Sequence, residues 1–588
     1  MPSSSTNTLS HHLARNCAAT PGSTAFTFVD YSRDIDGVVT ELTWKALESR
    51  VRTAAVGLRQ SGAAGERVAV VAPQGLDYVV GFLAAACAGA VAVPLFPPSL
   101  PGHEHKLAAV LQDAAPRFAF TTDGQRRSFA EFCAGRGTGA GCRVVTEREL
   151  RQVAAQFPLP ELPMPQAEDL AYLQYTSGST RIPTGVEITH ANVCANARQA
   201  MEAYDLHAGR NCTVGWLPLY HDMGLVLAVA LPVVGHLPSV LMDPLAFVQQ
   251  PVRWLRLLSR HAGALTAAPN FAYDYCVRRV PAEERGRLSL GSVTAMVNGS
   301  EPIKPGTLER FQEAFAGAGM MRTTMRPSYG LAEATVFVCA SPAQEEPVVT
   351  CFDREELGRG RARVVEKSEQ RQVAELVACG RPVDQEIVVV DPATCRPRPE
   401  GHVGEIWLRG PNVGGGYWGR PEHSDDVFRA VLQEGGTSGG WLRTGDLGVC
   451  HDKQLYVTGR LKDLVIIDGT NHYPHDIEET VGQAHPVIRA HHVAAFAVTS
   501  GDQEVLVVVA EHSRGADTGP ELVEEVTRAV RAALATGHGV SVYDFVLAPP
   551  DTVPHTTSGK VARSACREQY LAGRWEAGAL GQQRMLDA

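Results

Sequence analysis

Short apolar runs alternate with Ala-rich stretches of helical periodicity along the first 460 residues. Runs rich in Val, Ala and Phe occupy residues 67–71, 117–121, 142–146 and 264–268. Strands interleaved with helices are typical of parallel sheets that carry helices on both faces. The pattern therefore predicts an α/β fold with doubly wound sheets for this part, and no fixed-period repeat competes with that interpretation.

Two stretches are long and apolar enough to suggest a membrane span. Residues 78–102 carry no charge, and residues 223–242 contain only His236 as a titratable group. Prolines interrupt both stretches, which argues against a continuous membrane helix. The first stretch is better interpreted as a buried helix over 76–89 followed by a buried strand over 90–96, and we expect no membrane span.

The pattern changes twice toward the carboxyl end. Residues 342–376 are charged and poor in apolar runs, which indicates an insertion; a solvated surface excursion is the simpler interpretation. After the sequence GRLKD at 459–463, a strand, a hairpin and a helix predicted over 521–535 indicate a small α+β domain. We therefore expect a large domain over 1–460, a hinge at 461–462 and a small domain over 463–588.

Composition narrows the function classes. The 588 residues include 54 Lys plus Arg and 64 Asp plus Glu, a net charge of -10, which argues against a nucleic-acid binder. The 13 cysteines form no C-x-x-C pair and their count is odd, so neither a zinc site nor a disulfide framework is indicated. The amino terminus lacks the apolar segment of a secretory signal, and we expect a cytoplasmic protein.

The densest motif is a hydroxyl-rich and glycine-rich loop, QYTSGSTRIPTGV at 174–186. Small residues free backbone N–H groups to surround an anion, and the hydroxyls add donors, which suits a polyphosphate. The spacing is not that of a Walker A loop. A second glycine cluster, at 414–419, contains G-x-G-x-x-G but opens no apolar helix, and we interpret it as a turn. An ordinary surface loop is the alternative for the first motif.

Several single residues could complete a nucleotide site, although each has a structural explanation on its own. SYGLAE at 328–333 offers an aromatic face and a carboxylate for Mg²⁺, or only a turn before a helix cap. Asp446 and Arg460 could hold a ribose, or form a turn and a surface charge. His221 could be a buried structural histidine. Lys560 lies in a polar tail, where most lysines are merely solvated.

Taken together and in this order, these motifs resemble the adenylate-forming superfamily of acyl-CoA synthetases, peptide-synthetase adenylation domains and luciferases. The resemblance covers 175–560 and is strongest to the fatty acyl-AMP ligases, through LQYTSGSTRIPTGV, WLPLYHDMGL, SYGLAEATVF and KDLVIIDGTNHYPHDIE. It implies a small barrel-like part in the large domain and a mobile carboxyl-terminal domain, with the active site between them. The segment at 342–376 lies where that family carries an insertion.

The resemblance also implies a role for each motif residue, with ATP and Mg²⁺ as cofactors. Catalytic roles fall to Lys560, His221 and Glu333, the last also holding Mg²⁺ through ATP, and Lys462 is at the hinge. Nucleotide-binding roles fall to a set of loop and strand-end residues: Thr176, Ser177, Gly178, Ser179, Thr180, Asn298, Gly299, Ser300, Glu301, Pro302, Ser328, Tyr329, Gly330, Asp446 and Arg460.

The expected reaction is adenylation of a medium or long fatty acid, with an acyl tunnel along 223–242 and 268–276. The acyl group would then pass to the phosphopantetheine thiol of an acyl carrier protein, which acts in trans on a monomer or weak dimer. Two alternatives stay open at this point. One is an acyl-CoA synthetase, and the other is a non-catalytic adenylate-binding regulator, which the intact Glu333, Asp446, Arg460 and Lys560 disfavour.

Overall fold

The computed structural model describes most of the chain, with short gaps. The described residues are 7–100, 103–139, 141–157, 162–176, 183–367, 372–433, 440–467, 470–500, 503–516, 518–556 and 560–575. Ser177, Gly178, Ser179 and Thr180 lie outside them.

Strands and helices alternate through the described residues. The strands are β1 Thr24–Asp30, β2 Val38–Thr43, β3 Arg67–Val70, β4 Val91–Pro94, β5 Phe118–Thr121, β6 Arg143–Thr146, β7 Leu170–Tyr175, β8 Gly185–Thr189, β9 Cys212–Gly215, β10 Ser239–Met242, β11 Ala264–Pro269, β12 Ala295–Gly299, β13 Met325–Tyr329, β14 Cys339–Ala340, β15 Val349–Asp353, β16 Val373–Val377, β17 Arg381–Pro382, β18 Glu386–Val390, β19 Gly404–Arg409, β20 Leu442–His451, β21 Gln454–Arg460, β22 Val465–Ile467, β23 Thr470–His472, β24 Ile488–Ser500, β25 Gln503–His512 and β26 Val542–Ala548.

Helices connect the strands and pack against the sheets. They are α1 Leu9–Ala19, α2 Trp44–Gln60, α3 Leu76–Cys87, α4 Glu104–Ala114, α5 Arg126–Arg136, α6 Glu147–Ala154, α7 His190–Ala203, α8 Asp222–Leu225, α9 Leu231–Gly235, α10 Pro244–Gln249, α11 Val252–Arg260, α12 Asn270–Arg279, α13 Ala282–Arg285, α14 Pro305–Phe315, α15 Arg354–Gly358, α16 Pro421–Phe428, α17 Pro474–Ala484, α18 Pro520–His538 and α19 Arg563–Leu571.

Two large sheets form the centre of the fold, as the alternating pattern predicts. One has six strands in the order β6-β5-β3-β4-β7-β8, and the other has nine in the order β17-β14-β13-β12-β11-β9-β10-β1-β2. All neighbours are parallel except at the edges, where β8, β2, β14 and β17 are antiparallel. Helices cover both faces, so central strands such as β4, β5 and β11 are buried along their whole length.

The first apolar stretch is a core helix and strand, as predicted. Every residue of α3 is buried except Asp77, and β4 follows it into the six-stranded sheet. Gly81 lets α3 approach the sheet, because a Cβ there would overlap the ring of Phe120. Among the described residues, no helix has the length and apolarity to cross a bilayer.

An antiparallel sheet of four strands, β18-β19-β20-β21, makes up the barrel-like part of the large domain. The segment predicted as an insertion forms the antiparallel pair β15–β16 with α15 between them in the chain. Its interpretation as a solvated excursion is wrong, because one face of the pair packs into the interior. The buried cluster there contains Phe352, Leu357, Ala374, Leu376, Leu447, Val449, Tyr456 and Tyr473. The few apolar residues of this segment alternate with polar ones along short strands, so a search for continuous apolar runs does not detect them.

The carboxyl-terminal part is α+β, with the three-stranded sheet β24-β25-β26 and the helices α17 and α18. The predicted hairpin is β24–β25, and the helix predicted over 521–535 extends from Pro520 to His538. Pro520 stands in its first turn, and Gly539 ends it with φ +65°, the usual placement of these residues. The predicted boundary near 461 lies in a short helical turn between β21 and β22.

A buried carboxylate stabilises the central strand of this small sheet. Glu511, on β25, accepts a hydrogen bond from the backbone N–H of Val553 at 2.8 Å and pairs with Arg489. His492 Nδ1 lies 3.2 Å from the same carboxylate. Burial alone would raise its pKa, but His492 and the backbone donors outweigh burial and hold the pKa of Glu511 at about 2.

Replacing Glu511 by Gln should therefore weaken the carboxyl-terminal sheet. The folded-state pKa lies below the ordinary value of about 4.3, so the carboxylate contributes stability above that value and loses it as pH falls toward 2. The local free energy of unfolding should fall by roughly 3 kcal/mol at pH 7. Amide hydrogen exchange along 503–512 in increasing urea measures it. The exposed Glu504→Gln is the matched control; an equal effect of both changes would contradict the account.

Candidate active site

Three neighbouring parallel strands end at one edge of the nine-stranded sheet. β11, β12 and β13 are adjacent and parallel, and their last residues are Pro269, Gly299 and Tyr329. The motif segments 298–302 and 328–330 therefore lie side by side. In open α/β sheets this carboxyl edge is where ligands bind.

The carboxylate of Asp446 connects this edge to the antiparallel sheet. Its Oδ2 accepts a hydrogen bond from the Tyr329 hydroxyl at 2.8 Å, and its Oδ1 lies 3.0 Å from Arg460 Nε. Asp446 and Arg460 are directly paired residues of β20 and β21. Asp446 raises the pKa of Arg460. Each carboxylate oxygen can accept a second hydrogen bond, so a ribose diol can still bind to the pair.

Glu333 lies beyond the end of β13 in a strained turn. Its Oε1 accepts a hydrogen bond from the Tyr417 hydroxyl at 2.9 Å, and burial raises its pKa. Thr335 follows with φ +68° and ψ -62°, and the N–H of Val336 donates to the carbonyl of Ala334 at 2.8 Å, which makes a γ-turn. A β-branched residue rarely adopts this conformation, and such strain concentrates at functional sites.

The strained turn is fixed by the chain around it. The Thr335 hydroxyl donates to the carbonyl of Asn412 at 2.7 Å, and the N–H of Gly414 donates to the carbonyl of Glu333 at 2.9 Å. Only glycine fits at position 330 of this turn, because a Cβ there would overlap the carbonyl oxygen of Val336. The second glycine cluster thus supports the position of Glu333.

His221 and Asp222 form a close pair at the start of α8. His221 Nδ1 lies 2.6 Å from Asp222 Oδ1, and both side chains are half-buried. Burial favours the neutral carboxyl, but His221 and the N–H of Met223 outweigh burial and lower the pKa of Asp222. The carboxylate of Asp222 fixes the imidazole of His221, which could orient a substrate carboxylate.

Lys560 reaches this region from the carboxyl-terminal part. It is half-buried, and its N–H donates to Thr556 Oγ1 at 3.2 Å. Burial and the charge of Arg460 lower its pKa, while Glu301, Asp222 and Asp446 oppose that shift. Lys560 therefore interacts electrostatically with charged residues of four separate motifs. One of them, Arg460, lies 100 positions earlier in the chain.

The side chains of three other predicted site residues form hydrogen bonds within the protein. Asn298 is fully buried and donates to Asn270 Oδ1 at 3.2 Å, and the Ser328 hydroxyl donates to the carbonyl of Arg326 at 3.0 Å. Their side chains hold the strand ends, so any nucleotide contact of these two would come from the backbone. Glu301 accepts a hydrogen bond from the N–H of Phe271 at 2.7 Å, and burial raises its pKa.

Three more predicted residues lie at turns beside the site. Ser300 has φ +68°, which bends the chain after Gly299 and before Pro302. Thr176 follows β7, and its N–H donates to the carbonyl of Thr184 at 3.2 Å. Lys462 lies in the helical turn 461–463, where burial and Arg460 lower its pKa. Its hinge role stays a prediction.

A small apolar cavity of about 20 Å³ lies behind the strand ends. It is lined by residues of 213–217, 223–228 and 265–267, beside a π-helical turn at Val226–Ala230. Segment 223–242 contributes its first part to the lining of this cavity. Segment 268–276 does not line this cavity, because α12 turns its buried side chains into a separate aromatic cluster around Trp254 and Phe311, and the acyl tunnel stays a prediction.

Comparison with known proteins decides the family. Residues 13–418 match the family described as AMP-binding enzyme. The chain belongs to the AMP-binding enzyme family. Residues 462–579 also match a domain family described as Disco-interacting protein 2-like, AMP domain.

Relatives and a solved structure narrow the assignment within the AMP-binding enzymes. The chain is 42% identical to the long-chain-fatty-acid--AMP ligase FadD32 of Mycolicibacterium smegmatis, over 94% of this chain and 92% of that protein. It is 41% identical to a 4-hydroxyphenylalkanoate adenylyltransferase of Mycobacterium marinum, over 94% and 89%. A structure solved in studies of fatty acyl-adenylate ligases from E. coli and L. pneumophila matches with TM-score 0.84 and 32% identity, over 97% and 98%. The resemblance to fatty acyl-AMP ligases is confirmed, and the chain is an adenylate-forming enzyme that uses ATP.

Sequence reasoning missed two residues of this site. Thr335 and Tyr417 fix Glu333, yet neither belongs to a motif with obvious chemistry. The available signals were weak: Thr335 follows SYGLAEA directly, and Tyr417 lies within the glycine cluster at 414–419.

The position of Lys560 leads to a prediction about the rate of adenylation and its pH dependence. Lys560→Ala should lower acyl-adenylate formation at least about 100-fold, because the cation that balances the reacting anions is lost. Lys560→Arg should restore part of the rate and extend activity to higher pH. With the lysine pKa lowered from its ordinary value of about 10.4, wild-type kcat/KM should fall at an earlier alkaline pH than that of the arginine variant.

ATP–pyrophosphate exchange from pH 6 to pH 10.5 measures both effects. The exposed Arg528→Ala serves as a control for a cation removed from the carboxyl-terminal part. A Lys560→Ala rate within tenfold of wild type would remove the lysine from the reaction.

Proposed function

We propose that this enzyme activates a medium- or long-chain fatty acid with ATP and passes the acyl group to the phosphopantetheine thiol of a carrier protein. In the first step a carboxylate oxygen forms a bond to the α-phosphorus, and the bond to the β-phosphate oxygen breaks, so pyrophosphate leaves. In the second step the thiol sulfur attacks the acyl carbon and AMP leaves, while the thiol proton passes to solvent.

The strongest support for the adenylation step is the way in which four charged residues come together. Glu333, Asp446, Arg460 and Lys560 converge on the carboxyl edge of β11–β13, so groups for phosphate, ribose and carboxylate meet beside an apolar cavity. Phosphoryl-type transfer depends mainly on such positioning and charge balance. Lys560 would lie between the fatty-acid carboxylate and the α-phosphate, where two negative groups approach each other.

The donors around Glu333 suit Mg²⁺. A carboxylate oxygen is a ligand that this ion prefers, and the Tyr417 hydroxyl fixes the group by one oxygen only. Glu333 would hold Mg²⁺ together with the ATP phosphates, and the ion supplies neutralisation of their charge. Burial raises the pKa of Glu333, and a neighbouring cation would oppose that shift by favouring the ionised carboxylate.

Contacts of the insertion support a carrier thiol over CoA. Arg354 Nη1 lies 3.1 Å from Asp476 Oδ2, and Gln372 donates to the carbonyl of Thr536. Both contacts join the β15–β16 unit to the carboxyl-terminal part, and Tyr473 lies in the buried cluster of that unit. A large rotation of this part about the predicted hinge at 461–462 would break these contacts. An acyl-CoA synthetase is therefore the second candidate.

Product analysis separates these candidates. Radiolabelled dodecanoate with ATP and Mg²⁺ should give acyl-AMP on a thin-layer plate, and CoA should leave it unchanged. Holo acyl carrier protein should become acylated. The control acid is 4-hydroxyphenylbutanoate, which tests for an aryl substrate like that named for the Mycobacterium marinum relative. Conversion of the adenylate to acyl-CoA would contradict the proposed acceptor, and no adenylate from any acid would contradict the activation step.

A further inference from the structure

A second cavity lies on the surface formed by α10, α11 and α12, away from the apolar one. It has a volume of about 420 Å³, and its lining is mostly polar. Six polar residues line it: Gln249, Gln250, Arg256, Arg278, Arg279 and Glu284. We call this surface the arginine face. The adenylation chemistry uses none of these side chains.

The arginine face is positive although the chain carries a net charge of -10. Arg256 is balanced by Glu284 at 2.6 Å. Arg278 and Arg279 are exposed, and within the described residues neither forms an ion pair; Arg279 lies over the ring of Tyr275 at 5.7 Å. Two guanidinium groups thus point to solvent without an acid, and such groups bind phosphates and carboxylates through paired N–H donors.

Apolar side chains border the arginine face. Leu245 and Val248, on α10, are 60% and 51% exposed. The Tyr275 hydroxyl donates to the carbonyl of Val248 at 2.6 Å, which fixes α10 against α12. Exposed apolar residues next to unpaired arginines match the composition of protein interfaces, where Arg is enriched.

The arginine face is also connected to the active site. α12 begins at Asn270, which contacts the 298–302 segment, and ends at Arg279. Ten residues of helix span about 15 Å, so a group docked at the far end lies near the adenylate site. The charge of Arg278 also acts on His491 of the carboxyl-terminal part. An occupant of this surface would therefore lie close to both parts of the enzyme.

We propose that the arginine face docks the carrier protein that receives the acyl group. This inference rests on the proposed function. The occupant must be anionic and must cover an apolar patch on α10 as well as a polar cavity, which requires more than a nucleotide. A carrier that presents acidic side chains around the phosphodiester of its phosphopantetheine has both properties. Arg278 and Arg279 bind these anions, and Leu245 and Val248 pack under the carrier.

Charge reversal of the arginine face tests the proposal. The full-length Arg278→Glu/Arg279→Glu variant and wild type are compared in acyl transfer to holo acyl carrier protein. The KM for the carrier should rise at least about tenfold, while ATP–pyrophosphate exchange stays within about twofold. Transfer to free pantetheine should also stay within about twofold, because no protein docks in that reaction.

A salt series and a matched variant complete the design. Raising NaCl from about 50 to 300 mM should weaken carrier use by wild type but hardly change the variant, because salt screens exposed charges. Arg127→Glu/Arg136→Glu, on α5, makes the same change of net charge elsewhere and should leave the KM for the carrier unchanged.

The outcomes are distinguishable. Carrier transfer with an equal KM in wild type and variant would overturn the docking surface and leave the proposed function intact. An equal loss in the α5 variant would mean that net charge, and not this surface, steers the carrier. If wild type acylated no carrier at all, both the proposed acceptor and its docking surface would fall.

Discussion

The carboxylate of Asp446 is the interaction on which the site depends. It is buried between the hydroxyl of Tyr329 and the guanidinium of Arg460, so it joins the nine-stranded sheet to the antiparallel sheet. A buried carboxylate requires such partners, because an uncompensated charge in the interior is strongly destabilising. Lys462 comes two residues after Arg460, so the same pair lies directly before the carboxyl-terminal part.

Parts of this arrangement could be predicted because they depend on local pattern. The apolar runs predict the parallel strands, and parallel strands place their carboxyl ends together. The sequence predicts that Asp446 and Arg460 act on the same ribose, and the register of β20 and β21 pairs the two residues directly. The choice of Tyr329 rested on its ring, whereas its hydroxyl is what contacts Asp446.

Other parts depend on contacts distant in sequence, which one sequence does not reveal. The strain at Thr335 is fixed by the carbonyl of Asn412, and Glu333 by Tyr417, 84 positions later. The insertion has few apolar residues, yet Phe352, Leu357 and Leu376 pack against strands that follow it. Charged residues between β15 and β16 in the chain dominate the composition of the segment and hide this pattern. In each case the partner, and not the local sequence, decides the role.

Contacts of the carboxyl-terminal part connect the adenylation step with acyl transfer. Lys560 enters the site from the carboxyl-terminal part, and the insertion holds that same part through Arg354 and Asp476. A structure that favours the adenylating arrangement of Lys560 would limit the movement that exposes the adenylate to CoA. The carrier thiol would then have to approach an enzyme that is close to its adenylating arrangement. Under that constraint, a surface near the site that binds the carrier would help to select the acceptor.

The most direct test of the account is ATP–pyrophosphate exchange with dodecanoate by Asp446→Asn. The substitution keeps the shape of the side chain but removes the charge that holds Arg460 and that we propose binds the ribose. Exchange should fall at least about 100-fold, roughly 2.7 kcal/mol of transition-state stabilisation. Asp452→Asn, at the exposed turn of the same hairpin, should change it less than twofold. Exchange by Asp446→Asn within threefold of wild type, with the thermal unfolding midpoint unchanged, would contradict the central place given to this carboxylate.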